Sequence, residues 1–404
     1  MIELAWSIVE NLKANTMGRV TYYPTDNSIE ILYEKAKKNR PNIRKYTSID
    51  DFKNFILGRA VSYSTIDDLK IGFDNYLSQQ PQIFDFCFVL GKTQNFPEGY
   101  QVGTGKLCSY HKLPTSFKER FSLSNNAAFE TYWYMCLEVK ALGSGKAIEI
   151  AIQQARRNLG IYKLTYLSEN YYHFSNMSPL RYEYIAPKGF LIAGYDFAEI
   201  SFYRSEAFDW IILDLNALVT DSSENDIKNG LINAIDLYGL IDQSTSLDNR
   251  FTLCVIALEA LLLSTDDKDY SGKKIAEKIT FLVGCSREWF GICYPHQQIN
   301  EEFISNNLVE ARAKLDHKML SFYSKRSKFA HSGLKQKNKA KGNITTDDYK
   351  TVSTILRSTL IELLRLLKLG ITHIEKKESL LNDNSSLDAY IERLKYSSVY
   401  DFLA

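Results

Sequence analysis

From Asp226 onward every periodic stretch of the chain has a helical period. Apolar residues recur at three- and four-residue spacing over 226–241, 247–264, 273–283, 308–332 and 346–369, with a shorter repeat over 387–396. Such spacing lays one apolar stripe along each helix. Several stripes in sequence can be hidden from water only against one another, so this half predicts an all-α bundle. The polar run Asp221-Ser222-Ser223-Glu224-Asn225-Asp226 precedes it. It marks the expected boundary between a domain at 1–220 and a domain at 221–404.

The first half alternates between two regimes. Residues 1–80 read as polar helices over 3–13, 29–38, 49–59 and 66–77. Ser48-Ile49-Asp50-Asp51 and Ser64-Thr65-Ile66-Asp67-Asp68 place a capping hydroxyl before early acids, which marks a helix start. Then Phe84-Asp85-Phe86-Cys87-Phe88-Val89-Leu90 and Thr131-Tyr132-Trp133-Tyr134-Met135-Cys136-Leu137 bring aromatic, β-leaning runs, read as strands. An amphipathic helix follows at 144–159, and further strands are expected at 182–185, 190–193, 199–203 and 210–213. The whole reads as an α+β domain followed by an all-α bundle. Gly91-Lys92-Thr93, Gly103-Thr104-Gly105 and Ser144-Gly145-Lys146 each suggest a phosphate loop, but each lacks part of its spacing. We read them as turns or a helix start. The segments 286–304 and 335–342 are expected to be irregular.

Composition excludes several classes. A net charge of +1 in 404 residues argues against a general nucleic-acid coat, so any nucleic-acid contact should be local. The six cysteines have no C-x2-C spacing, which argues against a zinc site or a disulfide framework and for reduced thiols in a cytoplasm. Met1-Ile2-Glu3-Leu4 does not begin a signal peptide, and charged residues interrupt every long apolar run. A cytoplasmic protein with no membrane partner is expected.

Two local features point to chemistry. The first is Tyr323-Ser324-Lys325-Arg326-Ser327-Lys328-Phe329-Ala330-His331-Ser332-Gly333, which closes a helix carrying Leu315, Met319, Phe322 and Phe329 at helical spacing. Arg-x4-His alone is weak: 16 arginines and six histidines give it by chance in about one such chain in four. Its setting is more informative. Residues 310–341 hold ten Lys or Arg against two acids, Glu310 and Asp316, a local positive band that would attract phosphate. Lys325 and Lys328, with Lys335, Lys337, Lys339 and Lys341 on the following loop, are the candidate phosphate contacts. Five residues turn an ideal helix by about 140°, so Arg326 and His331 do not share a face. They converge only if the last turn unwinds or a second copy supplies the partner. The second feature is Glu259, alone in Cys254-Val255-Ile256-Ala257-Leu258-Glu259-Ala260-Leu261-Leu262-Leu263. A carboxylate on so apolar a helix must be paired or neutral. Arg326, Arg250 and Lys274 are the available cations.

Taken together, residues 251–263 with Glu259, the helix around Lys273-Lys274-Ile275-Ala276-Glu277-Lys278, the Arg326-x4-His331 motif with Ser332-Gly333, and the final helix after Thr346 resemble the HEPN superfamily. Within it they resemble the ApeA-like group of prokaryotic HEPN proteins. The resemblance covers roughly 225–370 and none of the first half. It implies a metal-independent endoribonuclease acting as a homodimer with two motifs facing each other, in defence against phage or as a toxin. Arg326 and His331 would be catalytic, and Glu259, Ser327 and Tyr323 would support the site. The residue types suit the chemistry. RNA carries its own 2′-OH nucleophile, histidine titrates where protons must move, and arginine forks onto phosphate. Neither metal nor cofactor is implied, and the products would be a 2′,3′-cyclic phosphate and a 5′-OH. The first domain would sense a phage-derived or nucleotide trigger. Many toxic members carry Asn, Asp or His where this chain has Ser327. That departure favours an alternative, a non-catalytic dimerising scaffold that binds RNA or a nucleotide.

Overall fold

A computed structural model of the chain describes residues 1–16, 26–58, 60–91, 93–94, 97–115, 117–118, 130, 132–164, 182–186, 189–193, 202–203, 209–221, 226–241, 244, 246–263, 271–331 and 344–368. Helices α1 (Ile2–Thr16), α2 (Asp26–Asn39), α3 (Pro41–Tyr46), α4 (Ile49–Gly58) and α5 (Ile66–Leu77) open it. They share a core of their own, built on Ala5, Ile8, Leu32, Phe52, Phe55, Phe73 and Tyr76. The capping signals act as read. Thr65 and Asp68 exchange bonds at the start of α5, and Ser48 and Asp51 do so at the start of α4. Sequence reading passed over α3, whose start is set by Pro41 in its first turn.

Six strands then form one antiparallel sheet: β1 (Gln82–Gly91), β3 (Tyr100–Val102), β4 (Gly105–Ser109), β5 (Trp133–Ala141), β6 (Tyr182–Ala186) and β7 (Gly189–Ala193). Their order is β3-β4-β5-β1-β6-β7. The two-residue strands β2 (Thr93–Gln94) and β8 (Phe202–Tyr203) pair in parallel apart from it. Alternation assigns the faces. Phe84, Phe86, Phe88 and Leu90 of β1, with Met135, Leu137 and Val139 of β5, enter the main core. Cys87 and Tyr134 point the other way, under Leu113 and Phe117. Gly103, with φ +60°, turns the chain between β3 and β4, so this motif is a hairpin turn.

Helix α6 (Ser144–Leu164) covers the core face of the sheet. Its first turn is the third motif that suggests a phosphate loop, and its anion site is already filled. The backbone N–H groups of Gly145 and Lys146 donate to the two Asp51 carboxylate oxygens at 2.9 and 2.7 Å. A Cβ on Gly143 or Gly145 would come within 2.3 or 2.7 Å of Asp51 or Ser48, so the glycines permit the approach. One carboxylate thus caps α4 and docks the opening helices onto α6.

The remaining elements are helical: α7 (Asp209–Thr220), α8 (Asp226–Ile241), α9 (Leu247–Leu262), α10 (Ser271–Val283), α11 (Arg287–Cys293), α12 (Glu301–His331) and α13 (Thr346–Lys368). Two expectations are corrected. The strand expected at 210–213 is part of α7. Its β-branched run suggested a strand, but Ile211, Ile212 and Leu215 are buried while Leu213 is 65% exposed, a helical distribution. The stretch 286–304 is not irregular throughout. Ser286 caps α11 by accepting from Trp289 N–H at 3.1 Å, and α12 begins at Glu301. The helix expected at 387–396 and the loop at 335–342 lie outside the described residues.

Asp221 separates α7 from α8, yet the hydrophobic core does not break there. One cluster runs from Phe84 of the sheet to Leu364 of α13. Its seam is the crossing of α6 and α8, where Gly160 and Gly239 bring the backbones together. A Cβ on Gly239 would lie 2.0 Å from the Arg156 carbonyl oxygen. Arg157 clamps Asp236 with two bonds of 2.7 and 2.8 Å, and Arg357 of α13 donates to the Leu164 carbonyl. Among the described residues no helix is long and apolar enough to cross a membrane.

Candidate active site

Helix α12 carries two rows of residues on opposite sides. Ala311, Leu315, Met319 and Phe322 form the inner row, all buried against the bundle. Arg326 is the next member of that row, four residues after Phe322. The outer row runs through Val309, Ala313, Leu320, Ser324 and Ser327, and helical count brings position 331 onto it. Val309 is 85% exposed and Leu320 38%. The helix continues through His331, so its last turn does not unwind to bring the two motif positions together.

The inward course of Arg326 ends on Glu259. Helix α9 is buried through Phe251, Cys254, Val255, Leu258, Leu261 and Leu262, and Phe251 meets Phe322 edge to face at 5.3 Å. Glu259 Oε2 accepts from Arg326 Nη2 at 3.0 Å. Arg250, a competing cation, instead donates to the Ser244 carbonyl at 2.6 Å. The guanidinium also lies 5.9 Å from the centre of the Tyr323 ring, a cation–π distance. That ring lies against the start of α10, where a Cβ on Gly272 would come within 2.6 Å of it. Tyr323 is therefore held between a glycine backbone and the arginine it supports.

The pair is only half satisfied. Glu259 Oε1 and Arg326 Nε are both shielded from solvent and have no hydrogen-bond partner among the described residues. Burial pushes the Glu259 carboxyl above the usual carboxylate range, and the opposing pull of the Arg326 charge does not offset it. A buried donor and acceptor left open in this way are costly unless something fills them. The side chains remain partly reachable, at 24% exposure for Arg326 and 17% for Glu259.

The adjacent residue behaves differently. Lys325 Nζ binds Asp348 Oδ2 at 2.5 Å, and Lys318 Nζ binds the other oxygen at 3.3 Å. Asp348 also accepts from the Thr345 backbone N–H at 3.1 Å, while its own N–H donates to the Thr345 hydroxyl at 3.1 Å. The capping box that starts α13 thus ties it to α12. Burial alone would raise the Asp348 carboxyl, but Lys325, Thr345 and Lys318 outweigh it and hold it at about 2.

The positive band is accordingly much reduced. Lys314 pairs with Glu310 at 2.7 Å, Lys318 and Lys325 with Asp348, and Arg326 with Glu259. Lys328 is exposed and Ser327 partly so, while His317 lies on the surface. His331 belongs to α12 by its backbone, and its side chain lies outside the described residues, as do Lys335, Lys337, Lys339 and Lys341. Sequence reasoning missed Asp348 and Gly272 at this site. Asp348 lies 23 and 30 residues from Lys325 and Lys318, too far apart for local spacing to show the link. Compared with models of known families, with curated proteins and with solved structures, the chain matches none.

Proposed function

We propose that the helical half is a HEPN-type domain and that the protein is a metal-independent endoribonuclease working as a homodimer, in a prokaryotic defence or toxin role. The observation that carries this reading is the half-satisfied pair. Arg326 is oriented by one bond to Glu259 and by the Tyr323 ring, and its side chain keeps 24% exposure. A guanidinium fixed on one side and open on another is suited to a phosphate oxygen. In the reaction the RNA 2′-OH attacks its own phosphorus, the 5′ oxygen leaves, and a 2′,3′-cyclic phosphate remains. Arg326 would hold the charge that grows on the phosphorane oxygens. His331, by residue type, would move the protons.

The opposed rows of α12 support a site completed by a second copy. Val309, Ala313 and Leu320 give the outer row an exposed, partly apolar surface along the side that helical count assigns to position 331. An interface that brings each His331 to the partner chain must also leave the partner's Arg326, about 140° round its own helix, at the edge of the contact. The first half would carry the sensing role, toward a phage-derived or nucleotide trigger.

One observation favours the second reading, a non-catalytic scaffold. Four of the six cations on α12 are already engaged in ion pairs, which leaves less charge for RNA. Purified protein incubated with total RNA in EDTA separates the two. Cleavage that disappears in an Arg326→Ala/His331→Ala double variant supports the nuclease. RNA binding without cleavage supports the scaffold. Product ends should resist 3′ ligation until the cyclic phosphate is opened.

A further inference from the structure

Three thiols form a row across the sheet, remote in sequence from the motif. Cys108 on β4, Cys136 on β5 and Cys87 on β1 occupy adjacent strands. They lie on the face turned away from the main core, with Cys87 packed under Leu113 and Phe117. Cys136 stands opposite Cys87 on one side and opposite Lys106 on the other, which makes Cys108 its diagonal neighbour. The Cys108 and Cys136 sulfurs are 3.2 Å apart. A disulfide bond is about 2.05 Å long, so closure needs the sulfurs to approach by roughly 1.2 Å, and the diagonal register requires β4 and β5 to shift slightly as the bond forms. Both residues are partly exposed, whereas Cys87 is fully buried. A small reagent can therefore enter at this pair.

We propose that Cys108 and Cys136 form a reversible disulfide, a two-electron redox site on the outer face of the sheet. A low-molecular-weight disulfide is the oxidant. The Cys136 thiolate, toward which the Cys108 S–H can donate, attacks one sulfur of that reagent. The reagent's S–S bond breaks and releases one thiolate. Cys108 then loses its proton and attacks the Cys136 sulfur of the mixed disulfide, expelling the second thiolate. The two protons lost by the cysteines end on the two released thiols. The protein is oxidised by two electrons and the reagent is reduced by two. The bond would fasten β4, which leads into the covering residues Leu113 and Phe117, onto β5.

The surroundings set the pH dependence. The contact with Cys136 and then burial push the Cys108 thiol well above its ordinary range. For Cys136 the contact with Cys108 lowers the value, but the Cys87 thiol and burial outweigh it and the net shift is upward. Lys106, on the neighbouring strand position, is the nearby cation on this side of the ladder, and Glu98, Asp85, Glu138 and Glu183 are the acids on the flanking strands and turn. Closure should thus be slow at pH 7 and accelerate about tenfold per pH unit up to pH 9, as the thiolate fraction rises.

The test uses the full chain incubated with oxidised glutathione at pH 7, 8 and 9, quenched in acid, alkylated and measured by mass spectrometry. The expected product has lost two hydrogens, yields one peptide pair bridged through Cys108 and Cys136, and reverts with dithiothreitol. Glutathione adducts that persist on either cysteine without bridging would overturn the proposal, as would no reaction at pH 9 or a bridge between any other pair. A folded Cys87→Ser variant should still form the bridge. Its loss there would show that Cys87 is the true partner and would overturn the assignment as well.

Discussion

Two consecutive residues of α12 meet two carboxylates, with opposite results. Lys325 binds Asp348, which also holds Lys318 and the cap of α13, and whose carboxyl stays at about 2. Arg326 binds Glu259, whose second oxygen has no partner among the described residues and whose carboxyl is raised. Asp348 is most favourable to the fold when ionised, and Glu259 when neutral. A saturated ion pair is accounted for by structure alone. A half-open one keeps hydrogen-bonding capacity that a ligand can complete, at a cost to the fold. The contrast separates the cation that ties α12 to α13 from the cation to which the proposed reading gives the chemistry.

The largest expected effect is on Arg326. Arg326→Ala should lower the initial rate of RNA cleavage by about a hundredfold or more, the loss typical of removing one transition-state donor. A variant that cleaves normally would place the chemistry elsewhere. Glu259→Gln should come next, with cleavage lowered more than about tenfold as the orienting charge is lost. Its stability should behave in the opposite sense. A carboxyl whose pKa is raised by folding contributes stability that is present below its unfolded value and lost as pH rises through the folded one. At pH 7 the Gln variant should therefore melt no lower than the parent. A marked drop in its melting temperature would mean that the ionised pair holds the fold.

Asp348→Asn should show the converse. The carboxyl stands at about 2 against an ordinary 3.8, so its ionisation contributes about 2 kcal/mol of stability. That contribution is present above the ordinary value and is lost as pH falls toward 2. Denaturant unfolding at pH 7 should show the deficit, and the gap to the parent should close near pH 2. Cleavage by the folded variant should change little. The smallest effect concerns Lys335, Lys337, Lys339 and Lys341. Neutralising all four should weaken RNA binding and flatten its dependence on salt, by up to about three in the logarithmic slope. An unchanged slope would make that loop a solvated connection.

How far the chain could be read in advance follows the same division between local and distant causes. The helix at 226–241 and the one beginning at Thr346 were legible because the members of their apolar repeats lie within a few residues of one another. Glu259 was legible for a different reason: a carboxylate on an apolar helix requires a cation, and few were available. Its pairing with Arg326 required the fold, because 67 residues separate them. Asp51 announced its cap and hid its second contact, which lies 94 residues away, and nothing local to Asp348 pointed to Lys325, 23 residues before it. The strand expected at 210–213 failed because a four-residue apolar run has no period of its own. Only the wider window to Leu215 shows the helical spacing. The core that joins sheet and bundle across Asp221 was hidden for a related reason: a polar run marks a surface turn whether or not a domain ends there.

The central claim is that the motif is completed between chains, because the inner row of α12 carries Arg326 and helical count assigns position 331 to the outer one. Subunit mixing tests this most directly. Arg326→Ala and His331→Ala proteins, each inactive alone, would be unfolded together, refolded as a mixture and assayed on RNA in EDTA. If each site takes its arginine from one chain and its histidine from the other, mixed dimers regain one intact site of two. Activity should then recover to about a quarter of the parent value for random pairing. A mixture that dimerises normally and stays inactive would contradict the account, and so would either single variant that is fully active by itself.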